Sequence, residues 1–366
     1  MYDFVVVGVG PAGARFSRRA AEAGHDVLAL EQGEIGEPLA CSGHVSSDVW
    51  NYTGEGARED LLQNQVRGAR FHVGGPHDGS GRDSYPFYKD EVVSNVIDRV
   101  GLDRHLAELA REAGADVREG HTVTELYEHH DRVEVVAKSG GEIHEFEAKM
   151  VAGCDGPRSR VRDALSLPEP GELLHGVLAF SEEDDPGDFV DVHLTAPRFF
   201  AWRIPRGEAG VEYGLAAPPG VHVGKQFEEL IDGYDVSVSH RCSGAIPIGP
   251  PDRVTGRRGF LIGDAASQTK PFTGGGILYG MTSADHAARE IDPDRPTTLA
   301  AYEHAWREDL EREIELGHWL RRAYSLPEPI QHAGLAAAAG EIGVHMDRPT
   351  SLLSTDHLKA MLSGRR

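Results

Sequence analysis

The chain is 366 residues long and carries 59 acidic against 37 basic side chains, a formal net charge of −22. That length buries a sizeable core and suggests two to three domains, and the absence of a basic patch argues against a nucleic-acid partner. No run of about 18 apolar residues exists to form a transmembrane helix, so any membrane docking is expected to be apolar and peripheral.

Lysine is nearly absent: Lys89, Lys138, Lys149, Lys225, Lys270 and Lys359 are all there are. Acid excess can mean solubility alone. With lysine depletion it fits a protein of multimolar salt, where a Debye length of about 3 Å screens self-repulsion, and a halophilic origin is expected. The chain enters its fold at Tyr2 without a basic leader, so no signal peptide is expected. Three widely spaced cysteines, Cys41, Cys154 and Cys242, suit neither a disulfide framework nor a structural zinc site and point to a reducing, cytoplasmic compartment.

Tyr2, Phe4, Val5, Val6 and Val7 form a short apolar β run, as in a strand covered on both faces. It ends in Gly8-Val9-Gly10-Pro11-Ala12-Gly13, which opens a helix, and a second strand, His25–Leu30, closes on Glu31. This is the pattern of a βαβ dinucleotide site. Gly8 permits the tight turn, Gly10 lets the backbone approach a pyrophosphate, and Gly13 lets helix and strand pack closely. The helix N-terminus faces the phosphates, and Glu31 can accept from ribose hydroxyls.

After a loop comes Cys41-Ser42-Gly43-His44-Val45, small residues that let the backbone pass close to a flat ligand. Cys41 is either a buried small hydrophobe or a functional thiol. Residues 66–90 hold β fragments at Arg70–Val73 and Tyr85–Phe87 around a Gly/Asp/Ser-rich turn, an excursion from the nucleotide domain. A helix follows over Arg99–Ala113, with Asp98 as N-cap, Leu102, Leu106, Leu109 and Ala110 as its stripe, and Gly114 as its stop. Arg99 is either surface charge or a phosphate ligand. Thr122–His129, Arg132–Lys138 and Ile143–Ala148 read as a meander, and Met150–Gly153 as a further buried strand leading into Cys154-Asp155-Gly156.

From Gly171 to Gly249 strands and turns alternate, as in a largely antiparallel second domain. Its most aromatic stretch, Phe199–Pro205, puts Phe200 and Trp202 on one face, where they either wall an apolar pocket or pack an ordinary core. Arg258–Ile262 is then a buried strand, followed by Gly263-Asp264 and by Gly274-Gly275-Gly276-Ile277 at the start of another helix. Asp264 can hold a ribityl or ribose hydroxyl, and a flat ring can approach the glycines. The remaining residues are helical, and Trp306, Ile314, Trp319 and Leu320 either cover the core or form a lipid-facing edge.

The order of these signals resembles FAD-dependent proteins of the p-hydroxybenzoate hydroxylase fold and, within them, the geranylgeranyl reductase family of archaea. Glu34–Gly43 is similar to that family's E-x-G-x-P-x-x-C-G-G/A segment, and Trp202–Gly207 to its aromatic-x-W-x-F-P-K-G strand. Gly263–Ile277 is similar to G-D-A-A-x-x-x-x-P-x-x-G-G-G-I, and Met346–Pro349 to a D-M-D-x-P stretch. Ser42 stands where the family commonly has glycine, and Ile204 and Arg206 replace Phe and Lys.

The resemblance implies a mixed α/β fold: a Rossmann-like FAD-binding domain (1–70, 91–170 and 250–290), an inserted antiparallel-sheet substrate domain (71–90 and 171–249) and a helical C-terminal region (291–366). Beside Gly8, Gly10, Gly13 and Gly275, it implies FAD contacts at Ala12, Glu31, Cys41, Ser42, Arg99, Val123, Asp264, Gly276 and Ile277. Cys41 would lie near the isoalloxazine as the candidate catalytic residue, and Phe200 and Trp202 would line a prenyl pocket. The implied reaction is reduction of isolated prenyl double bonds in archaeal ether lipids, on the cytoplasmic membrane face. No second G-x-G-x-x-G fingerprint is present, so the electrons would come from a ferredoxin-like protein or another external reductant. Cys41, a water or the flavin would supply the proton. An aromatic hydroxylase of the same fold is the main alternative; a flavin-dependent halogenase and a non-catalytic FAD module are weaker ones.

Overall fold

The computed structural model describes residues 1–38, 41–54, 56–76, 84–341 and Arg348. Leu39 and Ala40 of the cysteine segment, most of the turn at 77–84, and Met346, Asp347 and Pro349 lie outside the described residues.

The apolar strand Tyr2–Val7 is the centre of the first sheet. It pairs in parallel with Val27–Leu30 on one side and with Glu142–Gly153 on the other, placing Val5 opposite Val151 and Val7 opposite Gly153. Asp116–Arg118 extends the sheet in parallel beyond Val27–Leu30, and Gly259–Leu261 pairs in parallel with the end of Glu142–Gly153. Residues 142–153, which the sequence divides into two runs, form one strand. Its first half alternates exposure and pairs antiparallel with Val133–Ser139, while Met150–Gly153 is buried in the parallel core. At the junction Lys149 reaches outward to Asp3 (2.9 Å) and Asp294 (2.6 Å), so no break is needed there.

Helix Pro11–Glu22 packs between helices Arg99–Glu112 and Ile277–Glu290. Asp98 caps the second of these by accepting the Gly101 N–H at 3.0 Å, and Gly114, at φ +103°, follows its end. Phe16 of the first helix meets Phe4 edge-on at 5.2 Å and Phe260 at 5.3 Å, tying the helix to an early and a late strand through one side chain.

The second sheet runs in the order His240–Ile248, Glu172–Ser181, Val211–Ala217, Ala201–Pro205, Phe189–His193, Gly68–His72, Ser84–Tyr88, Gly340–Glu341. It is mainly antiparallel; Gly68–His72 joins Phe189–His193 in parallel, so the early excursion becomes part of this sheet. Leu178, Val190, Val192, Phe200, Trp202 and Ile204 share one apolar cluster on one face, and helix Val223–Tyr234 packs with Tyr213 and Leu215 on the other. A three-stranded sheet of His44–Ser46, Ser94–Ile97 and Leu62–Val66 carries the chain between the two larger sheets.

Helix Leu299–Arg322 buries Leu299, Tyr302, Trp306, Leu310 and Ile314 along a stripe at helical spacing. Trp306 is therefore core, whereas Trp319 on the same helix is 66% exposed. Phe16→Ala should cost about 3–5 kcal/mol, because it empties the junction of three elements. Denaturant unfolding checks this, and an equal loss for an exposed residue such as Tyr127→Ala would contradict it.

Candidate active site

The parallel strands end together, and the segments that leave them enclose one cavity of about 710 Å³. At the first turn Gly8 has φ +93°, and a Cβ there would lie 2.4 Å from the Cys154 carbonyl oxygen. A Cβ on Gly13 would lie 2.0 Å from the Gly8 carbonyl oxygen, so helix and turn touch backbone to backbone. Gly10 is the N-cap of helix Pro11–Glu22, with no side-chain cap and no acid in the first turn, and a Cβ there would meet nothing within 4 Å. The helix N-terminus thus opens into the cavity with its N–H groups available to an anion.

The cavity brings together Gly10, Ala12, Cys41, Ser42, Arg99, Asp264, Gly275, Gly276, Ile277, Phe200 and Trp202. Gly8 and Gly13 stand directly behind it as packing glycines. Glu31 is not in the lining: it accepts the Val9 N–H and the Gln32 N–H, each at 2.8 Å, and so holds the glycine turn. Val123 is also outside the lining, and its carbonyl accepts from Arg160 at 2.6 Å. The acid of Asp155-Gly156 is used locally, accepting from Ser159 Oγ at 2.6 Å and from the Arg160 N–H at 2.7 Å at the start of helix Arg160–Ala164.

Arg99 is a buried cation at a helix start. Its Nη1 lies 2.5 Å from Asp103 Oδ1, while Nε has no hydrogen-bond partner. Burial opposes its charge, but Asp103 and Cys41 outweigh that and hold its pKa above the ordinary value. Burial raises the Cys41 thiol although Arg99 pulls it down, so Cys41 is a protonated thiol at neutral pH, suited to donating a proton. Burial also lifts Asp264 to about 6 against the attraction of Arg99. A Cβ on Gly276 would lie 2.5 Å from Asp264 Oδ1, so only glycine lets this helix start pass the carboxyl group.

The other end of the cavity is apolar. Phe200 meets Trp202 at 5.7 Å and Tyr324 at 5.7 Å, and Leu178, Val192, Ile204 and Leu320 complete the wall. Sequence reasoning missed Tyr324, which follows the long helix, and Lys270, which lines the cavity beside Gly275. The signal for Lys270 was present: it is one of six lysines and stands immediately before Pro271 of the glycine segment.

Residues 90–202 match the model of an FAD binding domain. A digeranylgeranylglycerophospholipid reductase of Methanothrix thermoacetophila is 31% identical over 85% of this chain and 84% of its own length. The chain belongs to the digeranylgeranylglycerophospholipid reductase family. A second relative of that name, from Methanosarcina acetivorans, is 30% identical over 86% of this chain and 83% of its own. The solved structure of a geranylgeranyl bacteriochlorophyll reductase-like protein from Thermoplasma acidophilum superposes with a TM-score of 0.84 at 23% identity, covering 100% of this chain and 96% of that one.

The protein is an FAD-dependent oxidoreductase, and its residues fit the cofactor. The uncapped helix at Gly10 suits a pyrophosphate, the unpartnered Nε of Arg99 suits an acceptor, and the glycines before Ile277 leave room for a ring.

Asp264 binds its proton more tightly in the folded chain (about 6) than at its ordinary 3.8. Its contribution to apoprotein stability is therefore full below 3.8 and lost as pH rises through about 6. Relative to Asp264→Asn, the wild-type apoprotein should lose up to about 3 kcal/mol over that window. Thermal unfolding of both proteins against pH checks it, and parallel curves would contradict it.

Proposed function

We propose that this protein saturates the isolated double bonds of geranylgeranyl chains on archaeal ether lipids. The observation carrying this reading is the continuity of the cavity, which runs from the glycine-lined cofactor end to an apolar wall of Phe200, Trp202 and Tyr324. An unconjugated alkene has no carbonyl to hydrogen-bond, so a site for it needs close apolar positioning and an acid rather than an oxyanion hole. FAD, when bound and reduced, supplies the hydride. Phe200 and Trp202 orient the chain and exclude water, and the protonated Cys41 thiol stands at the cofactor end as the proton donor to the second carbon. Arg99 and the N-terminus of helix Ile277–Glu290 favour negative charge at that end. Gly10, Ala12, Ser42, Asp264, Gly275, Gly276 and Ile277 form the cofactor's cradle, with Gly8 and Gly13 packed behind it and Glu31 holding the glycine turn.

We place the protein on the cytoplasmic membrane face of a halophilic archaeon. Among the described residues no helix is long and apolar enough to cross a membrane. Trp319, Leu326 and Ile330 are exposed, however, and they flank Leu320, Ala323, Tyr324 and Leu335 of the cavity lining. A chain with so large an acid excess gains no attraction from an anionic membrane surface, so docking through apolar side chains is the route left open. Electrons would come from a ferredoxin-like protein or another external reductant.

The direct test is anaerobic photoreduction in high salt, followed by addition of a geranylgeranyl ether lipid. The flavin should reoxidise while lipid mass rises by about 2 Da per double bond; flavin that stays reduced until oxygen enters would sink the reading. Cys41→Ala should lower single-turnover reoxidation by about 100-fold or more, and an unchanged rate would remove Cys41 as the proton donor. Trp319→Ser with Ile330→Ser should weaken flotation with lipid vesicles while flavin content stays constant. Equal flotation would place the membrane contact elsewhere.

A further inference from the structure

Glu212 is the one carboxyl group in Val211–Ala217, a strand in which every residue is buried, and it is itself 0% exposed. Its Oε1 accepts the Trp202 indole N–H at 2.8 Å. The Ser42 hydroxyl and the Gly43 N–H stand beside the same carboxyl group and pull its pKa down, while its buried Oε2 makes no hydrogen bond. Trp202 belongs to the apolar wall of the cavity and Ser42 to its cofactor end, while Glu212 lies behind both.

The packing leaves this arrangement little freedom. A Cβ on Gly214 would lie 2.1 Å from Trp202 Cε2, so the indole rests directly on the strand that carries Glu212. A Cβ on Gly43 would lie 2.2 Å from the Ile97 carbonyl oxygen, so the cysteine loop is pressed against its neighbouring strand. Wall and loop approach from two elements, and Glu212 is the polar group they share.

We propose that Glu212 is a positioning residue, a single buried carboxylate that fixes the distance between the Trp202 wall and the Cys41–Ser42–Gly43 loop. Its meaning for catalysis rests on the prenyl-reductase reading; its structural role does not. A carboxylate is acceptor-only through both oxygens, so one can hold the indole N–H while the other faces the loop's hydroxyl and amide donors. The charged and titratable groups facing it are few. Arg206, just after Ala201–Pro205, lends positive charge and is held through Nε by Gln63 at 3.1 Å. Cys242 faces it from His240–Ile248. The cross-strand neighbours in register, Phe180 and Ile204, are apolar. Burial raises the Glu212 pKa against the pull of its donors and Arg206.

Glu212→Gln keeps the size and an oxygen for the indole but turns an NH₂ group toward the Gly43 N–H. In the apoprotein, alkylation of Cys41 by N-ethylmaleimide, mapped by peptide mass spectrometry, should accelerate by about tenfold or more. Cys154, packed under Gly13, should label at the wild-type rate. Trp202→Phe, which deletes only the indole donor, should also speed Cys41 labelling in the wild-type background and add nothing in the Glu212→Gln background. With FAD bound, Glu212→Gln should shift the visible flavin spectrum. Unchanged Cys41 labelling in Glu212→Gln overturns the proposal. If Cys154 labels faster too, the fold has loosened, and Trp202→Phe alone decides: no effect on Cys41 then overturns it. Because the labelling needs neither lipid nor turnover, failure of lipid reduction would remove the proposed function and leave this result standing.

Discussion

The site depends on one pairing, the parallel register of Tyr2–Val7 with the end of Glu142–Gly153. Val7 opposite Gly153 brings the Gly8 turn against Cys154, whose N–H donates to the Val7 carbonyl at 2.8 Å. The Ile262 N–H donates to Gly153 at 2.9 Å, so Gly263-Asp264 emerges beside the same edge. Three strand ends from distant parts of the chain thus open one crevice, where a doubly wound sheet holds its ligand. A side chain at Gly8 or Gly13 would force these backbones apart and spread that edge.

Within the crevice, burial sets the electrostatics. The chain carries a net charge of −22, yet the cofactor end holds a buried arginine and an uncapped helix N-terminus. Groups of this kind suit a pyrophosphate and a reduced ring. The same burial keeps the Cys41 thiol protonated. Where the sheet turns aromatic, the lining changes from charge to hydrocarbon, which matches a ligand that is polar at one end and prenyl at the other.

The sequence was most legible where one residue type admits one conformation. The glycines of the first turn, the Asp98 cap and the Gly114 stop could be read because a local rule governs each of them. The joining of residues 142–153 into one strand was less so, since only a partner strand distinguishes a pause in alternation from an end. The three-stranded sheet around His44–Ser46 was hidden for the same reason, its strands being short and far apart in the chain. Among candidate site residues, those following strand ends could be gathered from order alone. Lys270, Tyr324 and Glu212 could not, because their relevance comes from tertiary approach. Glu212 still left a trace, a charge inside an otherwise apolar strand.

Contact between cofactor and prenyl chain in one cavity is measured by the visible spectrum of the oxidised holoprotein titrated anaerobically with a saturated dialkyl ether lipid, which can bind but cannot react. A saturable perturbation of the flavin bands is expected, with affinity weakened by Trp202→Ala. Lipid that binds by equilibrium dialysis yet leaves the flavin spectrum untouched would contradict it, since the chain would then lie outside the cavity that Trp202 walls.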